Sequence, residues 1–379
     1  MDSARSKILV AMSGGVDSCV TAALLAEQGY DIVGITMRVV PDEAYGDDSV
    51  FKPCCSAKMS QDARDVADRF GFPHYTVNLV ENFDRQVVQD FTREYQAGRT
   101  PNPCVRCNQR LKYGTLYKKA VELEADAIAT GHYVRLAERG GRLAIQRAVD
   151  LRKDQSYVMG GLSQKQLAMA LFPLGEMTKE ETRAKARELG LAAAETPESQ
   201  DICFIPDNDY KGFLRRRVGP MHPGPIVNQQ GEVLGEHQGL MDYTVGQRKG
   251  LGIGGGEPLY VLRLDIADNA VVVGHADETY CTGFTASEIT WSGLAPQDDP
   301  FDAYVQIRYH HEPVACTVTP RESTFEIAFH EPERSVTPGQ WAVLYDEHGR
   351  VLAASMIDAY QTVAESSSQI DSMALSRRS

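Results

Sequence analysis

Residues 13–18 read Ser-Gly-Gly-Val-Asp-Ser and stand between the apolar run KILVAM and a stretch with helical spacing. At such a strand-to-helix junction the backbone N–H groups and the positive end of the helix dipole favour an anion. Gly14 and Gly15 let the backbone approach phosphate oxygens, and Ser13 and Ser18 offer hydroxyls. Asp17 is a carboxylate of the kind that holds magnesium on a pyrophosphate. No lysine accompanies them: the spacing GxxxxGK[ST] is absent, which disfavours an enzyme that moves a γ-phosphoryl group. A glycine-rich turn before a helix needs no ligand, but strand, SGGxDS and helix in succession point to nucleotide binding.

The second chemically capable set is sulfur. The chain has eight cysteines, among them Cys104 and Cys107 in GRTPNPCVRCNQRLKYG and Cys203 in ESQDICFIP. Thiolate is the reactive form of cysteine, and Cys107 lies beside Arg106 ahead of a helical pattern, a setting that lowers a thiol pKa. Cys54, Cys55, Cys104 and Cys107 also allow a structural zinc site in a non-catalytic RNA-binding protein, although adjacent cysteines make poor tetrahedral partners. Cys19, Cys281 and Cys316 read as small buried hydrophobes.

These groups need elements to position them. KILVAM reads as a buried strand, 18–28 as a helix and DIVGITMRVV as a second strand, the opening of a doubly wound parallel α/β sheet. The pattern continues with a helix over 56–70, a strand at HYTVNLV, helices over 82–96 and 109–124, and a strand at DAIATGHYV. Ligands of such sheets bind beyond the carboxyl ends of the strands. Thr178 and Glu181 stand at capping-box spacing before a last clear helix that stops at Gly190. After Pro206 the texture changes: 219–256 is rich in Gly and Pro, and from 258 short β-type runs alternate with turns, the pattern of a small barrel or sandwich. The expected division is an α/β domain over 1–205, a small central domain over 206–280, a β-barrel over 281–363 and a flexible tail over 364–379.

Hydrophobic residues make up 42% of the 379 residues and charged residues 24%, ordinary for a globular chain, and no apolar run approaches the ~20 residues a membrane helix needs. The opening apolar run is read as a strand rather than a signal peptide, so a cytoplasmic protein with reduced thiols and no disulfide framework is expected. A net charge of −13 speaks against a nucleic-acid partner, yet basic residues cluster at Arg106, Arg110, Lys112, Lys118 and Lys119, at Lys211 and Arg215 to Arg217, and at Arg248 and Lys249. Taken singly, each cluster is a solvated helix face.

The phosphate loop resembles that of the ATP-pyrophosphatase superfamily. With the two cysteine segments, GHYVR, KDQSY and YTVGQRKGLGIG, the chain resembles the bacterial tRNA-specific 2-thiouridylases from Lys7 to about Ala359. That resemblance implies a catalytic α/β domain, a central domain and a carboxyl-terminal β-barrel. It implies 2-thiolation of the wobble uridine (position 34) of tRNAs for Lys, Glu and Gln, with ATP consumed to adenylate the C2 oxygen and magnesium as cofactor. The uracil carbonyl is a poor electrophile with a poor leaving oxygen; adenylation turns that oxygen into AMP and opens C2 to sulfur.

By the same resemblance Cys203 would carry a persulfide from a sulfur donor protein and Cys107 would act as nucleophile, ending in a Cys107–Cys203 disulfide. The nucleotide site would be Ala11, Met12, Ser13, Gly14, Gly15, Val16, Asp17 and Ser18, with Met37 and Gly131 at strand ends. Asn102, Pro103 and Cys104 would meet the target base; His132, Lys153, Asp154, Gln155, Arg308, Tyr309 and Gln340 would touch tRNA. Extracting a stacked uridine costs a few kcal/mol and needs backbone contacts over a wide surface.

One position departs from the family: many members carry aspartate where this chain has Cys104. Cys104, Cys107 and Cys203 together would suit a [4Fe–4S] cluster with an open iron; the plainer alternative keeps Cys104 as a variant side chain in a persulfide enzyme. Amide-forming ATP pyrophosphatases are the rival enzyme class, since they need the same loop but no paired cysteines.

Overall fold

The computed structural model describes residues 6–41, 57–195, 202–205, 207–254 and 256–363. Cys54, Cys55, Pro206 and the tail 364–379 lie outside the described residues. A parallel sheet is built from β1 (Lys7–Ala11), β2 (Asp31–Arg38), β3 (His74–Asn78), β4 (Ala127–Ala129) and, after a hairpin of β5 (Val134–Arg139) and β6 (Arg142–Arg147), β7 (Ala170–Leu171). Its order is β3-β2-β1-β4-β7, so the chain turns outward in both directions from β1. The crevice at such a switch point is where doubly wound sheets take their ligands.

Alternate residues of β1 serve two cores. Leu9 joins Ile35 and Ile128 on one face, while Ile8 and Val10 join Ile32, Ala127 and the helix Val16–Glu27 on the other. Burial on both faces is why these strands read as unbroken apolar runs.

A four-stranded sheet follows, β8 (Gly224–Val227), β9 (Val233–His237), β10 (Tyr260–Asp265) and β11 (Ala270–Gly274), in the order β10-β11-β8-β9. The chain ends in a closed barrel of β12 (Tyr280–Trp291), β13 (Phe301–Gln306), β14 (Val314–Pro320), β15 (Phe325–Arg334), β16 (Trp341–Tyr345) and β17 (Val351–Thr362), which decides between barrel and sandwich. Along β16, Ala342 and Leu344 fill the barrel while Trp341, Val343 and Tyr345 pack with Leu9 and Ile128. Thus the outside of the barrel shares a core with one face of the α/β sheet.

Several elements differ from the sequence pattern. The helical stretch expected from Gln109 starts at Pro103, and the strand expected over 126–134 stops at Ala129. A helix at Tyr210–Val218 and the first barrel strand, Tyr280–Trp291, were not among the elements expected from the sequence. Among the described residues no helix is long and apolar enough to cross a membrane.

Candidate active site

The phosphate loop is tied by its own side chains. The Ser13 amide donates to Ser18 Oγ at 3.1 Å and the Ser18 hydroxyl donates to the Gly15 carbonyl at 3.0 Å. Gly14 has φ +81°, and a Cβ there would lie 1.9 Å from the Met59 carbonyl oxygen, so the first turn of the helix Ala57–Phe70 requires glycine. Gly15 caps the helix Val16–Glu27. Its backbone donors and the Ser13 and Ser18 hydroxyls meet at the positive end of that helix, a fit for nucleotide phosphate.

Gly131 follows β4 and packs on the same helix end: a Cβ would sit 2.8 Å from the Asp17 carbonyl carbon. Two residues on, the Tyr133 hydroxyl donates to Asp17 Oδ1 at 2.8 Å. The remaining partner was not visible in the loop motif. Lys179 Nζ reaches both oxygens of Asp17, at 2.7 and 2.8 Å, from a position 162 residues along the chain. The loop's aspartate is therefore paired with a lysine supplied by the helix Lys179–Glu188. The capping box of Thr178 and Glu181, legible in the sequence, fixes Lys179 as that helix's first residue.

On the sulfur side, Asn102 Oδ1 accepts the Cys104 amide at 3.1 Å and Pro103 occupies the first helical turn, which is why NPC begins a helix. Cys104 is exposed and Cys107 half-buried. From Cys107 to Thr115 the helix widens to π geometry, a distortion that recurs at functional sites. Cys107 and Cys203 pack against one apolar cluster that also takes Met37 from the end of β2. The two thiols are not bridged.

The expected thiol-lowering role of Arg106 is corrected by its geometry. Its guanidinium is buried, donating to Asp90 at 3.1 Å and to Glu288 of β12 at 2.6 and 2.8 Å, and lies 5.1 Å from the Trp341 ring centre. Burial pushes the Cys107 thiol up from its usual value, and Lys112 is the cation that opposes this. Lys112 Nζ stands 3.2 Å from His132 Nε2, and His132 Nδ1 stands 2.7 Å from Thr130 Oγ1. His132 is buried, and desolvation, then Lys112, holds its pKa well below that of a free imidazole. Neutral His132 accepting from Lys112 at Nε2 and donating from Nδ1 is the tautomer that satisfies both contacts.

The barrel and the segment after Leu240–Asp242 hold the chain before Asn102. Thr100 donates its amide to the Pro338 carbonyl at 2.9 Å and its carbonyl accepts Gln340 Nε2 at 2.7 Å, while its hydroxyl donates to Thr244 Oγ1 at 3.1 Å. Gln340 thus clamps the loop bearing Cys104. Asp154 binds Arg147 at 3.2 Å and Ser156 at 2.6 Å, and Gln155 Oε1 accepts the Tyr133 amide at 2.9 Å, so both side chains shape the site's wall. The Lys153 amide donates to the Asp150 carbonyl at 3.0 Å. Arg308 donates to the Arg334 carbonyl at 3.3 Å, and the neighbouring Tyr309 ring is 37% exposed. Among the described residues no three Cys, His, Asp or Glu side chains gather closely enough to hold a metal ion, so Cys104, Cys107 and Cys203 do not fit an iron–sulfur cluster in this geometry. A zinc site using Cys54 and Cys55 lies outside the described residues.

Residues 6–207 match the family model described as a tRNA methyl transferase HUP domain, 211–275 the tRNA methyl transferase PRC-barrel domain and 281–357 the aminomethyltransferase beta-barrel domain. The chain is 49% identical over 369 residues to the tRNA-specific 2-thiouridylase MnmA of Geobacter metallireducens, covering 95% of this chain and 99% of the relative. It is 46% identical over 355 residues to the protein of the same name from Leptospira biflexa, covering 93% of each. A solved structure of the U34-tRNA thiolase NcsA from Methanococcus maripaludis with its [4Fe-4S] cluster aligns at TM-score 0.34 and 17% identity over 58% of this chain and 69% of that one, too distant to bear on the chemistry.

Proposed function

The chain belongs to the tRNA-specific 2-thiouridylase family, and on that premise we propose that it replaces the C2 oxygen of the wobble uridine of tRNA with sulfur. Its tRNA substrates are those for Lys, Glu and Gln, ATP is the activating co-substrate, and a donor protein supplies sulfur. The observation behind this reading is the packing of Cys107 and Cys203 on the cluster that takes Met37, beside the strand end next to the phosphate loop. Amide-forming relatives of the loop have no use for such a pair.

The loop residues 13–18 would hold the triphosphate, magnesium would offset the charge that develops on pyrophosphate, and Gly131 closes the floor under the first helix turn. Adenylation of the uridine O2 releases pyrophosphate. The terminal sulfur of a Cys203 persulfide then bonds to C2 as AMP leaves with the oxygen. Cys107 thiolate attacks the Cys203 sulfur; the disulfide forms, the Cys203 sulfur to transferred sulfur bond breaks, and C2 keeps a thiocarbonyl. An external dithiol reduces the disulfide for the next turnover. Burial pushes the Cys107 thiol up, so its proton must leave before it attacks, and Lys112 is the cation that favours the thiolate.

Nucleoside mass spectrometry of tRNA incubated with enzyme, ATP, magnesium and a sulfur source tests this reading. Wild type is expected to give 2-thiouridine, Cys107→Ser and Cys203→Ser none, and iron-free Cys104→Ser the full product. Undiminished product from Cys203→Ser would remove the persulfide route. Iron bound by anaerobic wild type, with iron and activity both lost in Cys104→Ser, would replace it with a cluster.

A further inference from the structure

We propose that Lys179 is the phosphate-contacting cation of the nucleotide loop and that Asp17 holds this lysine in place rather than ligating a metal ion; this rests on the loop's binding a nucleoside triphosphate. The first support is that Asp17 is already engaged. Lys179 Nζ bonds both carboxylate oxygens, at 2.7 and 2.8 Å, and the Tyr133 hydroxyl adds a bond to Oδ1 at 2.8 Å. A hard divalent ion wants carboxylate oxygens of its own. To reach these it must expel an ammonium that is close, charge-matched and largely shielded from water, the Lys179 side chain being 8% exposed.

The second support is where the lysine sits. Lys179 is the first residue of its helix, at the positive end, where a cation is disfavoured by the dipole. Glu180 and Glu181 in the same turn obey the rule that Lys179 breaks. The departure is enforced: the Lys179 amide donates to buried Asp150 at 3.2 Å, and the capping box fixes the turn around it. Residues that break a local rule inside a well-built frame mark function.

The third support is what lies around the ammonium. Asp17 stands in the first turn of the helix capped by Gly15, next to Ser18, whose hydroxyl closes the loop. Two helix amino ends therefore meet through the Lys179–Asp17 pair, while Asp150 takes the Lys179 amide behind it. A helix amino end alone takes phosphate through backbone donors, and a loop lysine adds a point charge for the distal phosphates. Here that charge comes from a distant segment, which accounts for the missing lysine of the loop motif. The ligand class is an oligophosphate, bare pyrophosphate included, and the metal travels on the phosphates.

The experiment is calorimetric binding of ATP and of pyrophosphate to the full-length protein, in EDTA and in magnesium, with Mn²⁺ titration of the protein–ATP complex by electron paramagnetic resonance. Lys179→Met is expected to weaken metal-free binding about 10- to 100-fold, as loss of a charged hydrogen bond does, and Lys179→Arg to restore most of it. Asp17→Asn should weaken the same binding, the double variant should be no worse than the weaker single one, and Mn²⁺ affinity should stay unchanged. Full metal-free affinity in Lys179→Met, or lost Mn²⁺ affinity in Asp17→Asn, would overturn the assignment. If Lys179→Met does not fold, Lys179→Arg and Asp17→Asn decide by the same readings. Wild-type protein that binds neither ligand under either condition overturns the nucleotide reading itself.

Discussion

The phosphate loop and the cysteine segment are built in opposite ways. The loop closes on itself: Ser13, Gly15 and Ser18 bond one another within five residues, and only glycine fits under Met59. The segment from Thr100 to Cys107 is held from outside, by Pro338 and Gln340 of the barrel side, by Thr244, and by Glu288 through buried Arg106. The loop backbone thus keeps its shape through its own hydroxyls, with Tyr133 and Lys179 reaching in only to Asp17. A segment clamped by the barrel presents its thiols in a geometry that the barrel sets.

The comparison breaks most directly at two glycines. Gly14→Ala puts a Cβ against a backbone carbonyl at positive φ, and is expected to cost nucleotide binding at least about 2 kcal/mol, roughly 30-fold. Gly339, with φ +89°, would place its Cβ 2.9 Å from the Thr100 amide nitrogen. Gly339→Ala should slow thiolation between roughly tenfold and 100-fold by shifting the Cys104 loop, with nucleotide affinity unchanged. Parallel measurement of ATP binding and thiolation on both variants checks this; equal loss of ATP affinity in the two would dissolve the distinction.

Arg106 tests the clamp energetically. Replacing it with Met strands Asp90, buried but still within reach of Arg93 and Arg110, and frees Glu288 toward solvent. The expected loss is about 3 kcal/mol, read as a lower urea midpoint at constant slope. Arg106→Met and Glu288→Gln should combine to less than their sum, because they share one interaction.

The same contrast explains what could be read from the sequence. The β1 run, the loop and the capping box at Thr178 are local signals, each encoded within a few residues, and each appears in the structure. The barrel strands were legible as short β runs, but β16 is apolar on both faces because the α/β domain packs outside it, a tertiary fact. The helix Tyr210–Val218 carries its apolar stripe on Tyr210, Phe213 and Leu214, but it is short and Arg215, Arg216 and Arg217 dominate its pattern. The burial of Arg106, which removes it from Cys107, and the reach of Lys179 to Asp17 both depend on partners more than 100 residues away. Spacing cannot report them.

His132 gives a smaller effect with a defined sign. Its imidazole stays neutral in the fold because burial and Lys112 depress its pKa, while the unfolded chain titrates near 6.5. As pH falls below about 6.5 the unfolded state takes up a proton that the folded state refuses, so stability declines on acidification until the folded value is reached. His132→Gln should flatten the stability slope below about pH 6.5, measured by denaturant unfolding at stepped pH. An unchanged slope would mean His132 is charged in the fold and the Lys112 contact is not its resting partner.

The smallest expected effect concerns the barrel face that would meet RNA. With a net charge of −13, the protein draws tRNA only through local cations. Arg308 spends one N–H on the Arg334 carbonyl, and its guanidinium has five donors, so several remain for a phosphate. Tyr309 beside it offers a partly exposed ring, suited to stacking rather than charge. The two side chains should therefore separate in salt dependence. Arg308→Ala should weaken tRNA binding and reduce the slope of log K against log salt by about 0.7 to 0.9, one counterion's worth, with ATP affinity unchanged. Tyr309→Ala should weaken binding at every salt concentration and leave the slope alone. Filter binding of tRNA to the two variants across a salt series gives both slopes. A slope that stays fixed in Arg308→Ala places the phosphate contact elsewhere and leaves Arg308 as a brace for β15.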